Sequence, residues 1–235
     1  MAATTADDIL ANLQVVAHER AVRQADAALD ARVTTLKAHQ QQRFERSYAD
    51  MLASARYGAA ARFFLQELYG PGDFTRRDAQ FSRVVPALVR LFPKAVVETV
   101  AHLSALHALT ESLDTAMAAH STVVDWTPAL YRHAWQQTGR RPDREAQIAL
   151  TVAVAGELDT LTRKPLLRKT LHLMRGPARA AGLAELQGFL ETGFDTFAAM
   201  GGAKDFIALV ATRERSFAAA QFAADPDAAG LSPNG

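Results

Sequence analysis

Arg62-Phe-Phe-Leu-Gln-Glu-Leu-Tyr-Gly-Pro-Gly-Asp-Phe-Thr-Arg-Arg-Asp78 is where one long helical pattern stops and another begins. Gly70 and Gly72 can take positive φ, and Pro71 cannot continue a hydrogen-bond ladder, so the segment reads as a helix stop. Thr75 stands three residues before Asp78, which predicts an approximate capping box for the next helix. Helix, corner, helix is the pattern from which the rest of the chain is read.

Upstream, from about Asp7 to Tyr69, there is no proline and the only glycine is Gly58. The spacing of Ile9, Leu13, Val16, Leu29, Val33, Leu36 and Phe44 predicts one or two long helices, with Asp7 and Asp8 at the positive end of the first. Between Arg20 and Ala28 the apolar stripe thins to alanine, so this part is expected to lie across the core or to pair with a second copy. The polar run from Gln40 to Ser47 is expected to be a hinge. Downstream, Pro86 is expected to kink the helix after the corner. A helix rich in Val100, Leu103, Leu106, Leu113 and Met117 then reads as the central one.

Thr127-Pro128 reads as an N-cap with proline at the first helical position. Residues 148 to 161, apolar on nearly every side, read as a buried helix rather than a strand. A helix from Thr162 to Arg175, halted by Gly176-Pro177, and two more interrupted by Gly201-Gly202 complete the pattern. The fold class is all-α, a helical bundle of about eight or nine helices with a long N-terminal helical arm. One domain over 1–224 is expected, with the arm at 6–69, a compact body at 75–224 and a disordered tail at 225–235.

Twenty-six basic residues against 25 acidic ones give a formal net charge of +1, so there is no overall attraction to nucleic acid or to an anionic membrane. With no cysteine, disulfides, thiolate nucleophiles and cysteine metal sites are excluded. No stretch approaches the ~18 uninterrupted apolar residues of a membrane span. The acidic N-terminus lacks a signal pattern, and a cytoplasmic location is the expectation.

Arg56-Tyr57, Phe63-Phe64-Leu65, Leu68-Tyr69-Gly70-Pro71, Asp73-Phe74 and Arg77-Asp78 form one group of residues. Phe189 to Phe194, Met200 to Ala203, Phe206 and Arg213-Glu214 form another. Together they resemble an uncharacterised family of all-helical proteobacterial proteins. The resemblance implies a helical fold and no mechanism, and it directs attention to Tyr69, Asp73, Arg77 and Asp78. These four either brace the corner, as turn residues and an Arg/Asp ion pair, or line a pocket or partner surface.

Metal chemistry finds no support in the spacing of the seven histidines. His102 and His107 lie five apart, about 140° around a helix, where two ligands on one face need three or four. His18-Glu19 lacks the second histidine of a zinc-protease motif, and no Glu-x-x-His occurs. Leu103-Ser-Ala-Leu-His107 has a faint likeness to a haem-ligating helix. His107 and then His102 are therefore the residues to examine for haem or another tetrapyrrole, against the ordinary reading of hydrogen-bonded histidines on an apolar helix.

From Thr160 to Ala184 the chain carries Arg163, Lys164, Arg168, Lys169, Arg175 and Arg179 and no acid. Lys164, Arg168, His172 and Arg175 form one basic stripe at helical spacing. It is either a face answered by acids on a neighbouring helix or a site for an anionic partner, with simple phosphate contact favoured over base stacking because few aromatics lie within it.

No hydrolase, nucleotide or dinucleotide motif is present. The expectation is a non-enzymatic protein-interaction or regulatory module with a protein partner or self-association. A helical ligand-binding or sensor protein stands second, and an enzyme whose site no motif marks stands third.

Overall fold

The computed structural model describes residues 5–67, 72 and 74–223, and every regular element among them is a helix. Among the described residues there are twelve helical segments, against the eight or nine expected, and most of the surplus arises before the corner. The run expected as one or two helices is divided into α1 (Ala6–Gln24), α2 (Ala27–Ser47), α3 (Ala49–Ala53) and α4 (Gly58–Glu67). Each break has a local cause. Asp26 Oδ1 accepts from the amides of Ala28 and Leu29 at 3.0 Å, ending one helix and capping the next. Ser54 Oγ accepts from the amides of Arg56 and Tyr57 and holds the turn before Gly58. The expected hinge at 40–47 is instead the last two turns of α2.

The corner leads into α5 (Thr75–Leu91), which runs through Pro86. Its N-cap is Phe74, with no side-chain cap bond, so the expected Thr75–Asp78 capping box does not form. Asp78 is engaged elsewhere, as described below. Tyr69 and Asp73 lie outside the described residues, as does the tail expected at 225–235.

α6 (Lys94–Ala119) is the central helix, as its apolar content predicts. α1, α2, α5, α7 (Pro128–Thr138) and α8 (Arg141–Thr162) all pack on it. The predicted cap of α7 is present, with Thr127 Oγ1 accepting from the Leu130 amide at 3.2 Å. α8 is helical, as read, and carries the second half of the fold on its other sides: α9 (Pro165–Leu173), α11 (Ala184–Ala199) and α12 (Lys204–Phe222). The helix expected over 162–175 is shorter, because Gly176 and Pro177 sit inside a further short helix, α10 (Arg175–Ala180), rather than after a stop.

Three buried clusters fill the interior. One joins Tyr48, Phe64, Phe197 and Phe206, a second joins Leu36, Met117, Tyr131 and Trp135, and a third joins Ile9, Leu13, Val85 and Val97. A fully buried side chain such as Leu36 or Ile9 contributes roughly 1.5–3 kcal/mol. α1 and α2 contribute to these clusters through Ile9, Leu13, Leu29, Val33, Leu36 and Phe44. α11 approaches α4 closely at Gly193, where an added Cβ would come within 2.9 Å of Phe63 Cζ.

Candidate functional site

Much of the second half of α6 is buried, its polar residues Glu111, Asp114 and Thr115 included. Glu111 and Asp114 are 3% and 2% exposed. A buried carboxylate must find partners, and α1 and α2 supply them. Glu111 Oε2 accepts from Arg23 Nη2 at 2.6 Å and its Oε1 from Lys37 Nζ at 2.6 Å. Arg23 also donates to Thr115 Oγ1 at 3.1 Å. One turn along both helices, Gln40 Nε2 donates to Asp114 Oδ1 at 3.0 Å. Lys37–Glu111 and Gln40–Asp114 are thus two rungs between α2 and α6.

A second polar group meets this one from α5. Asp78 Oδ2 accepts from Arg20 Nη2 at 2.7 Å and lies 2.9 Å from His107 Nε2. Arg77, next to it, lays its guanidinium over the rings of Phe74 and Phe189, 4.1 and 4.3 Å from their centroids.

Between these groups and α11 lies a cavity of about 110 Å³. Leu13, Phe64, Phe81, Leu103, Leu106 and Leu186 are among its apolar walls. Lys37, Gln40, Asp78, His107, Glu111 and Asp114 gather among its polar ones. Gln40, Thr110, Asp114 and Thr151 also border a smaller cavity of about 40 Å³, whose far side is Arg43, Arg144, Tyr131, Trp135 and Glu214. Asp114 therefore stands in the partition between the two.

The two α6 carboxyls have opposite electrostatic surroundings. Burial pushes Glu111 up, but Lys37 and Arg23 outweigh it and hold the carboxyl at about 2. Burial also pushes Asp114 up, and Lys37, Gln40 and Arg144 do not compensate, with the charge of Glu111 adding to the rise. Asp78 is held below the usual carboxylate range, because His107 and Arg20 together overcome its burial. The result is two ionised carboxylates and one that retains its proton beyond the ordinary range.

The residues singled out in the sequence divide three ways. Arg77, Asp78 and His107 come together at the cavity. Asp78 braces the fold through Arg20 and His107. His102 is turned away from them, half-exposed, with Nδ1 2.8 Å from Glu157 Oε1. The basic stripe lies along α11: Arg168 Nε bonds Asp195 at 2.8 Å, His172 is 3.8 Å from the same carboxylate, and Arg175 grips Glu191. Lys164 is the exposed N-cap of α9.

The haem reading does not suit this geometry. A cavity of about 110 Å³ is smaller than the ~150 Å³ that holds a single benzene, and a tetrapyrrole is several times larger. Among the described residues, no group of three or more His, Asp or Glu is placed to hold a metal ion. Nor is any described helix long and apolar enough to cross a membrane.

Sequence reasoning missed Arg20, Arg23, Lys37, Gln40, Glu111 and Asp114 as site residues. One signal was available: Glu111 and Asp114 stand in the leucine-rich half of α6, where burial obliges a carboxyl group to find polar partners on other helices.

The two segments that carried the sequence resemblance pack against each other beside the cavity, with Phe63 on Phe189 and Phe64 on Phe197 and Phe206. Residues 19–228 match the family described as a domain of unknown function, DUF8198, and the chain belongs to that family. No curated protein and no solved structure matches it.

Proposed function

We propose that this member of a family of unknown function is a helical small-molecule-binding protein, with its ligand site in the cavity enclosed by α1, α2, α5, α6 and α11. One observation carries the reading: the cavity is apolar around most of its wall, with its charged and amide groups supplied by α2, α5 and α6. That is the composition of a ligand pocket, where apolar area supplies affinity and a few placed polar groups fix orientation. Its volume suits a molecule of about the size of benzene or smaller, by comparison with the ~150 Å³ apolar cavity that accepts benzene.

The test is a methyl-resolved NMR titration with 1-butanol. Methyl signals of Leu103, Leu106 and Leu186 are expected to move in a saturable way, while those of Leu29 and Val33, in a different cluster, stay in place. Unsaturable or uniformly spread changes would remove the reading.

A protein-interaction module is the second reading, and it has an observation of its own. α9 buries none of its residues, and Leu166 and Leu173, two turns apart, are 75% and 78% exposed. Exposed leucines on a helix that buries none of its residues support a contact surface there. If the face joins two copies of this chain, Leu166→Glu with Leu173→Glu lowers the sedimentation coefficient to that of a monomer. An unchanged coefficient rules out self-association through α9.

A further inference from the structure

We infer that the ligand of the cavity is a small carboxylic acid with an apolar body, its carboxylate received by Lys37 and Asp114 at the polar wall. The inference rests on the cavity's being a ligand site, and it adds which chemistry the polar wall selects.

Charge balance comes first. Arg20, Arg23 and Lys37 are three fixed cations, and Asp78 and Glu111 are the two carboxylates that answer them. Each of these carboxylates is engaged by two partners, Asp78 by Arg20 and His107 and Glu111 by Arg23 and Lys37. The third carboxyl, Asp114, is 2% exposed and accepts one hydrogen bond, from Gln40, where an ionised carboxylate in such a place needs several. Burial raises its pKa above the ordinary carboxylate range. These ion-paired groups set three cations against two carboxylates, in surroundings where an uncompensated charge is costly. An anion entering the cavity removes that imbalance, and a cation adds to it.

Hydrogen-bond capacity points the same way. Lys37 lines the cavity and has three N–H donors, of which Glu111 takes one among the described residues. A protonated Asp114 has an O–H to give. Two donors side by side on adjacent rungs match the two oxygens of a carboxylate, and bonds to an ionised acceptor are the strong kind. The apolar remainder of the acid would lie against Leu103, Phe81 and Leu186 of the cavity wall.

Three probes of one chain length separate the possibilities: butyrate, 1-butanol and butylamine, each titrated into the full chain by methyl NMR at pH 7. The expected result is that butyrate binds about tenfold more tightly than 1-butanol, the scale of one charge-assisted hydrogen bond, and that butylamine binds most weakly. Lys37→Met should bring butyrate down to the affinity of 1-butanol and leave 1-butanol within about twofold of its wild-type value, since a neutral alcohol gains nothing from the charge. Asp114→Asn, which keeps a donor, should retain butyrate binding.

Equal binding of butyrate and 1-butanol, or preference for butylamine, overturns the carboxylate inference and leaves the ligand pocket standing. Binding of none of the three removes the pocket reading itself. The wild-type comparison decides between these outcomes without any variant, so misfolding of Lys37→Met would not protect the inference.

Discussion

Two sets of Arg–carboxylate pairs in this protein have nearly the same bond lengths and opposite surroundings. Arg23–Glu111, at 2.6 Å, joins side chains 6% and 4% exposed; Arg168–Asp195, at 2.8 Å, joins side chains 54% and 41% exposed. Distance alone says nothing of what each pair does. Water competes for the surface pair and screens it, whereas little water reaches the interior pair to do either. The surface pairs lie where the sequence is conspicuously basic, and they are answered by α11. The interior pairs are widely separated in sequence, and they border the cavity.

The largest effect that distinguishes the two regions is expected from Glu111→Ala. It leaves Arg23 and Lys37 facing each other without a counter-ion, and should cost about 3–5 kcal/mol and lower Tm by on the order of 10 °C for a chain of this length. Circular dichroism melts would measure it. A loss no greater than that of a surface pair would erase the distinction.

Asp114→Asn should act in the opposite direction. Asp114 is faced by Lys37 and Gln40 from α2, Arg144 from α8 and Glu111 from its own helix, and its folded-state carboxyl is raised above the ordinary 3.8. A raised carboxyl contributes stability that is fully present below the unfolded value and is lost as pH rises through the folded one. Asparagine has no proton to lose, so the variant should match the wild type near pH 3.5 and exceed it by a few degrees in Tm at pH 7. A difference that is constant with pH would show that Asp114 titrates normally.

Arg168→Ala is expected to be the smallest, at most about 1 kcal/mol and diminished further in high salt. If instead it destabilised the protein as much as Glu111→Ala, the surface stripe would be part of the structural framework.

The course of the helices was largely legible in the sequence, for reasons that particular residues make plain. Thr127-Pro128, Gly201-Gly202 and the leucine-rich run of α6 are local signals, and local chemistry sets where helices begin, end and bury themselves. The corner at 62–78 was legible as a place of interest, and Phe64, Phe74, Arg77 and Asp78 do line the cavity. What could not be read was pairing across distance. Gln40 and Arg43 belong to a run that looks like a solvated hinge. They are drawn inward because Asp114 and Glu214, 74 and 171 residues away, need partners. Thr75–Asp78 failed as a capping box for the same reason: Arg20 and His107, on two other helices, hold the carboxylate that would have closed it.

A crystal structure of the wild-type protein grown with butyrate tests the central claim most directly. The account predicts electron density for one butyrate in the cavity, its chain against Leu103 and Phe81 and its carboxylate within hydrogen-bond distance of Lys37 and Asp114. A cavity closed by its own side chains, with no butyrate bound at saturating concentration, would contradict it.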